Sequence, residues 1–322
     1  MKRLLLFLCA PALFAAIDGA VVNGTTGQPQ AGATVMLTKL GQNGMSPAGS
    51  VKTDSAGKFS FDTAASDMHL IQVNYKGVTY NLSLQPGAPA SGLQISVFET
   101  STAPIAPDQH MVLLETDGQD LVANETVIFK NDGKTTWIDP ARGTFHFYVP
   151  AAAGPNVRVR ATAPGGMPIE RPAQKTSEKG VWMVDYPVKA GGETRFDVSY
   201  KLPVKEPITY QGRILHTGGE LRLVVPSGMK AEGKAIKLLG TEPSTQASIY
   251  DITDRNFEVT LAGTGQIRQL QPTERTEEEG PRIESIAPPG YERNKYLLLG
   301  LMLGVLALGF AAQFLKGGER KA

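Results

Sequence analysis

The chain has 322 residues, 41% hydrophobic and 20% charged, with 32 basic against 31 acidic side chains and a formal net charge of +1. That balance gives no field strong enough to select nucleic acid, and a single cysteine, Cys9, excludes an intrachain disulfide and a Cys-based zinc site. The 35 glycines and 22 prolines suit many short strands joined by tight turns, so the expected fold class is mainly β: tandem Ig-like and prealbumin-like β-sandwiches, plus one C-terminal transmembrane helix.

Residues 1–16 (MKRLLLFLCAPALFAA) follow Lys2 and Arg3 with an apolar stretch too short to span a bilayer, which predicts a signal peptide. Leu8 precedes Cys9 where a lipidated cysteine needs a small residue. Residues 17–101 then alternate in strand fashion. Ile17, Ala20 and Val22 open a first strand, and Asn23, Gly24, Thr26 and Gly27 turn the chain back toward 33–37. Asp54, Ser55, Ala56 and Gly57 form a tight turn with Gly57 able to take positive φ. Phe59, Phe61, Val73 and Tyr75 are the expected core residues beyond it. Gly44 to Gly49 (GMSPAG) lacks the spacing of a nucleophile elbow and is expected to be a flexible loop.

The stretches IDGAVVNGTTGQPQAGATVML (17–37), KTDSAGKFSFD (52–62) and HLIQVNYKGVTYNLSL (69–84) resemble the carboxypeptidase regulatory-like family. The resemblance covers about a quarter of the chain. It implies a transthyretin-like (prealbumin-like) β-sandwich without catalytic activity of its own. Because the wider fold class includes starch-binding-like modules, it also implies a carbohydrate-binding alternative.

Pro104 and Pro107 mark a boundary at 99–109. Residues 109–203 carry candidate strands at 110–116, 121–130, 143–149, 156–163, 170–175, 181–188 and 193–202, the size and strand number of an Ig-like sandwich. The run TRFDVSYKL places Phe196, Val198, Tyr200 and Leu202 on one face. The segment 171–203 resembles part of bacterial membrane-anchored surface proteins, which implies no particular activity. Residues 204–265 offer further strands at 208–215, 219–226, 235–239, 247–252 and 256–262. That is a small β unit, or an extension packed on the preceding sandwich.

Residues 266–295 are polar, charged and proline-containing and read as a flexible stalk. Residues 296–315 (YLLLGLMLGVLALGFAAQFL) contain no charge and have the length of a transmembrane helix. Gly300, Gly304, Ala307 and Ala311 form a small-residue stripe on it that would suit a homodimer, although such residues are common in spanning helices. Residues 316–322 form a cytoplasmic tail, with the N-terminal domains extracytoplasmic, in the periplasm or at the cell surface.

The chemistry-bearing residues are sparse. His69, His110, His146 and His216 are far apart in sequence, and no H-E-x-x-H pair occurs. Asp117, Asp120, Asn131, Asp132, Asp251 and Asp254 sit near turns, where Asx residues bond locally, and do not form an EF-hand pattern. Trp182 alternates with Val184 and Tyr186 and is expected to anchor a core. Trp137 follows the turn NDGKTT and is the candidate ligand contact, with core packing as the competing reading.

No cofactor, metal or nucleic acid is expected. The expected function is non-enzymatic: a single-pass, membrane-anchored extracytoplasmic β-sandwich protein acting as a binding or scaffold module for an envelope protein partner. The alternatives are a carbohydrate-binding (glycan-binding) surface module and an accessory subunit of a membrane enzyme or transport complex.

Overall fold

Apolar–polar alternation becomes paired strands through most of the described sequence. The structure, a computed structural model, describes residues 17–41, 44–205 and 207–267. The expected signal peptide, most of the stalk, the spanning helix with Gly300, Gly304, Ala307 and Ala311, and the tail lie outside the described residues. Among the described residues every regular element is a strand, and no helix is long and apolar enough to cross a membrane.

The first sandwich contains β1 (Ile17–Asn23), β2 (Gln28–Pro29), β3 (Thr34–Gly41), β4 (Gly44–Lys52), β5 (Lys58–Phe61), β6 (Met68–Tyr75), β7 (Val78–Leu84) and β8 (Leu93–Val97). One sheet holds β2, β1 and β5, with β8 parallel to β1. The other runs β4-β3-β6-β7. Val21, Val35, Leu37, Phe59, Phe61, Ile71, Val73 and Ile95 close one core between them. The Asp54 carboxylate accepts from Ala56 N–H at 2.9 Å and Lys58 N–H at 2.8 Å, which shapes the turn into β5. Gly57 there has φ +72°, and a Cβ would come within 2.6 Å of the Val21 carbonyl oxygen, so only glycine fits.

Gly44 to Gly49 is not a loop but the start of β4. Its proline is tolerated because β4 is an edge strand, paired with β3 and exposed along almost its whole length. The loop expectation failed because proline and glycine break central strands, not edges.

The second body contains β9 (Glu99–Ser101), β10 (Gln109–Asp117), β11 (Asp120–Asn131), β12 (Thr135–Trp137), β13 (Phe145–Tyr148), β14 (Arg158–Thr162), β15 (Ile169–Arg171) and β16 (Gln174–Lys175). It continues with β17 (Val181–Val184), β18 (Gly192–Pro203), β19 (Ile208–Arg213), β20 (Glu220–Val225), β21 (Met229–Glu232), β22 (Ile236–Thr241), β23 (Ser248–Ile252) and β24 (Asn256–Gly263). An eight-stranded sheet runs β15-β14-β18-β11-β10-β20-β23-β22. The sheets β13-β17-β16 and β19-β24-β21 share one core with it, from Val112 and Phe129 through Phe196 and Tyr200 to Leu261.

Residues 204–265 therefore share both sheet and core with 109–203. Their strands join through the parallel pairing of β10 with β20, Gln109 opposite Glu220 through Leu113 opposite Val224. A stretch of this size buries little alone and gains its core by extending a larger sheet.

The boundary at 99–109 is also stitched. β9 pairs in parallel with β12, Glu99 opposite Thr135 and Ser101 opposite Trp137. Thr25 donates its hydroxyl to the Lys134 carbonyl across the same seam. The described residues up to Ile267 belong to one compact unit.

Candidate functional site

A concavity with both charged and aromatic lining is built around Trp137. Its backbone N–H and C=O bond to Val188 at 3.0 and 2.9 Å, which fixes the strand end beside β18. Beyond it the DPARG turn (139–143) folds on itself. Asp139 accepts from Arg142 N–H at 3.1 Å and from Arg142 Nε at 2.8 Å, and Asp139 N–H donates to the Thr144 hydroxyl at 3.0 Å. Gly143 has φ +84°, and a Cβ would come within 2.7 Å of Met183 Sδ. The turn thus lies tight against β17.

Trp137 is 5% exposed and belongs to the core, so the indole presents no open face to a ligand. Its ring packs edge-on against Phe129 at 5.5 Å and His216 at 6.2 Å. His216 in turn stacks on Phe145, with centroids 5.4 Å apart and planes 4° from parallel. His216 Nε2 lies 2.9 Å from the His146 carbonyl oxygen and donates to it, so two histidines far apart in sequence meet here. Burial is the main cause pulling the His216 imidazole down to about 4, with the His146 carbonyl acting the other way. The ring is therefore neutral at physiological pH.

Two clefts, of about 550 and 540 Å³, border the β13-β17-β16 sheet. The first is lined by Trp137, Asp139, Arg142, His146, Arg213 and His216. Arg213 bridges to Glu178 at 2.6 Å on its rim. Burial pushes the Asp139 carboxyl up, but the Arg142 amide and guanidinium outweigh it and hold it below the usual carboxylate range. Its two ion pairs balance, so the cleft carries no net charge and offers guanidinium donors around an aromatic floor. Among the described residues neither imidazole hydrogen-bonds a side-chain hydroxyl or carboxylate within this cleft.

The second cleft is lined by Trp182, Lys175, Thr176, Lys179, Pro150 and Pro155. Trp182 was expected to anchor the core, but it is only partly buried, with the Lys175 ammonium 5.1 Å from its ring centroid. The physical reason is the edge of its sheet. Only the two-residue β16 flanks β17 there, which leaves one margin of the indole open.

The other candidates are held elsewhere. His69 bonds through Nδ1 to the Asp67 carbonyl at 2.9 Å, and His110 lies 3.2 Å from Glu125 in the core. Asp117 and Asp120 pair with Lys201, Asp251 with Arg222 and Asp132 with Lys130. Asp254 accepts from Asn256 N–H, and Asn131 caps the turn at Gly133. Among the described residues no group of three or more His, Cys, Asp or Glu converges as a metal site would. The sequence reading named His146 and His216 but missed Arg142, Glu178 and Arg213; the DPARG turn was the one local signal.

Neither a protein-family model nor a curated protein matches the chain. Among solved structures, a mutant M1 zinc metallopeptidase from Deinococcus radiodurans, bound to a Tyr-Ser-Ala substrate, is similar at 10% identity and a TM-score of 0.28. That match covers 49% of this chain and 42% of the peptidase. A second structure of the mutant peptidase matches at 11% identity and a TM-score of 0.27, over 48% of this chain and 42% of that one. The chain spans less than half the length of these enzymes, and a likeness at this TM-score carries no argument about activity.

Proposed function

We propose that the chain is a non-enzymatic, membrane-anchored β-sandwich protein that binds or scaffolds an envelope partner on the extracytoplasmic side. In this reading 17–101 is a carboxypeptidase regulatory-like module, 109–203 an Ig-like sandwich extended by 204–265, and 296–315 the anchor. The observation that carries it is the seam, where β9 pairs with β12 so that the first sandwich cannot swing freely on the second. A fixed seam holds the Trp137–His216 cleft in one orientation relative to the first sandwich, as a scaffold requires. The neutral cleft with guanidinium donors at Arg142 and Arg213 supports contact with a polar partner.

The test is recovery of the full-length protein from its native membrane in mild detergent, with retained proteins identified by mass spectrometry. The expected result is a stoichiometric partner that is lost when Arg142 and Arg213 are both changed to Ala in a folded variant. No partner, or a partner retained by that variant, would overturn the reading.

One observation favours a carbohydrate-binding reading: Trp182, not Trp137, keeps part of its indole open beside a cleft. Saturable binding on a glycan array, lost in Trp182→Ala, would support it; a blank array counts against it.

A further inference from the structure

A third cleft, of about 340 Å³, lies at the seam between the two sandwiches and takes Lys189 into its wall. Lys189 is only 9% exposed. An ammonium has three donors. One goes to the Thr79 carbonyl of β7, and the charge sits 5.3 Å from the centroid of the Tyr80 ring. Among the described residues none of the ion pairs includes Lys189. Burial alone pulls its ammonium down to about 8, with no charged neighbour acting the other way. A buried cation without a counter-ion is costly, and a neutral carbonyl and a ring face offset only part of that cost.

The rest of the cleft supplies donors rather than acids. Gln94 and Ser96 sit at exposed positions of β8 and face it, and Asn81 adds an amide whose oxygen already accepts from Gln72 at 3.2 Å. The volume is that of a small-molecule site.

We propose that this cleft binds a small oxyanion, a carboxylate or a phosphate, with the Lys189 ammonium as its counter-charge and Asn81, Gln94 and Ser96 as flanking donors. The anion touches β7 and β8 of the first sandwich and the Lys189 segment of the second, so its binding tightens the seam.

The experiment is lysine footprinting on the full-length chain. Lysines are reductively methylated with acetate, with inorganic phosphate, or with chloride at matched ionic strength, and each site is quantified by peptide mass spectrometry. Acetate or phosphate at tenfold excess over its Kd is expected to slow methylation of Lys189 about tenfold, with exposed lysines unaffected. Protection by acetate alone identifies a carboxylate ligand, and protection by phosphate alone a phosphoryl one. The same anion is expected to raise the melting temperature of the native chain but not of Lys189→Met. A Lys189 that is never methylated, a rate indifferent to both anions, or a melting shift that persists in Lys189→Met would overturn the proposal.

Discussion

The Tyr80 and Thr136 hydroxyls lie 3.0 Å apart in the buried seam between the two sandwiches. Phe98 N–H donates to the Tyr80 oxygen at 3.2 Å, and Ala190 N–H to the Thr136 oxygen at 3.3 Å. Thr136 is fully buried, so water cannot replace a lost partner. Thr136→Val keeps the shape and removes the acceptor. It should lower stability by about 1–3 kcal/mol, read as a shifted urea midpoint with unchanged slope. A shift below about 0.5 kcal/mol would mean the bond does not hold the seam.

A second buried network centres on Glu125. Its carboxylate accepts from Tyr200 at 2.8 Å and from Tyr210 at 3.4 Å, and lies 3.2 Å from His110 Nε2. These four residues come from β10, β11, β18 and β19, tying 204–265 to the sandwich before it. Burial and the Glu125 charge push both tyrosines well above the ordinary range, so they remain protonated donors. Glu125→Ala should cost about 3–5 kcal/mol, because His110 and Tyr200 lose their buried acceptor, whereas Tyr210 keeps the Tyr200 hydroxyl 2.9 Å away. Glu125→Gln retains an acceptor oxygen and should cost less. Equal losses for both variants in denaturant unfolding would refute the network.

His216 makes stability acid-sensitive. Burial lowers the folded imidazole to about 4 against an ordinary 6.5, so the unfolded chain binds its proton first as pH drops. The stabilisation is complete above pH 6.5 and is lost as pH falls toward about 4, on the order of 3 kcal/mol at most. His216→Phe should flatten that stretch of the stability–pH curve. An unchanged slope in the variant would remove His216 as its source.

Lys189 has the opposite window. Its folded ammonium is held at about 8 against an ordinary 10.5, so its burial costs stability below pH 8. That cost is relieved as pH rises from about 8 to 10.5. Whatever stability Lys189→Met has relative to the native chain at neutral pH, its relative standing should fall across that window. Parallel curves for the two proteins would show the amine to be solvated.

Much of the strand layout was legible because alternation is a local property. Phe196, Val198, Tyr200 and Leu202 were expected on one face and are 0–5% exposed in β18. Phe59 and Phe61 fill the first core, and Gly57 takes positive φ, for reasons contained within a few residues of each. The edge strand β4 was not legible, because GMSPAG forms a strand only when β3 supplies the pairing.

The sequence by itself determined the β class, the approximate strand positions and the turns, since side-chain alternation and Asx or Gly turn chemistry act over two to four residues. Tertiary structure decided which strands meet. Parallel pairs such as β9 with β12 and β10 with β20 join segments with no local hairpin to align them, so alternation alone does not predict their partners. The same non-local pairing buried Trp137 against Phe129 and His216, left Trp182 open beside the short β16, and placed Lys189 in the seam without a counter-ion.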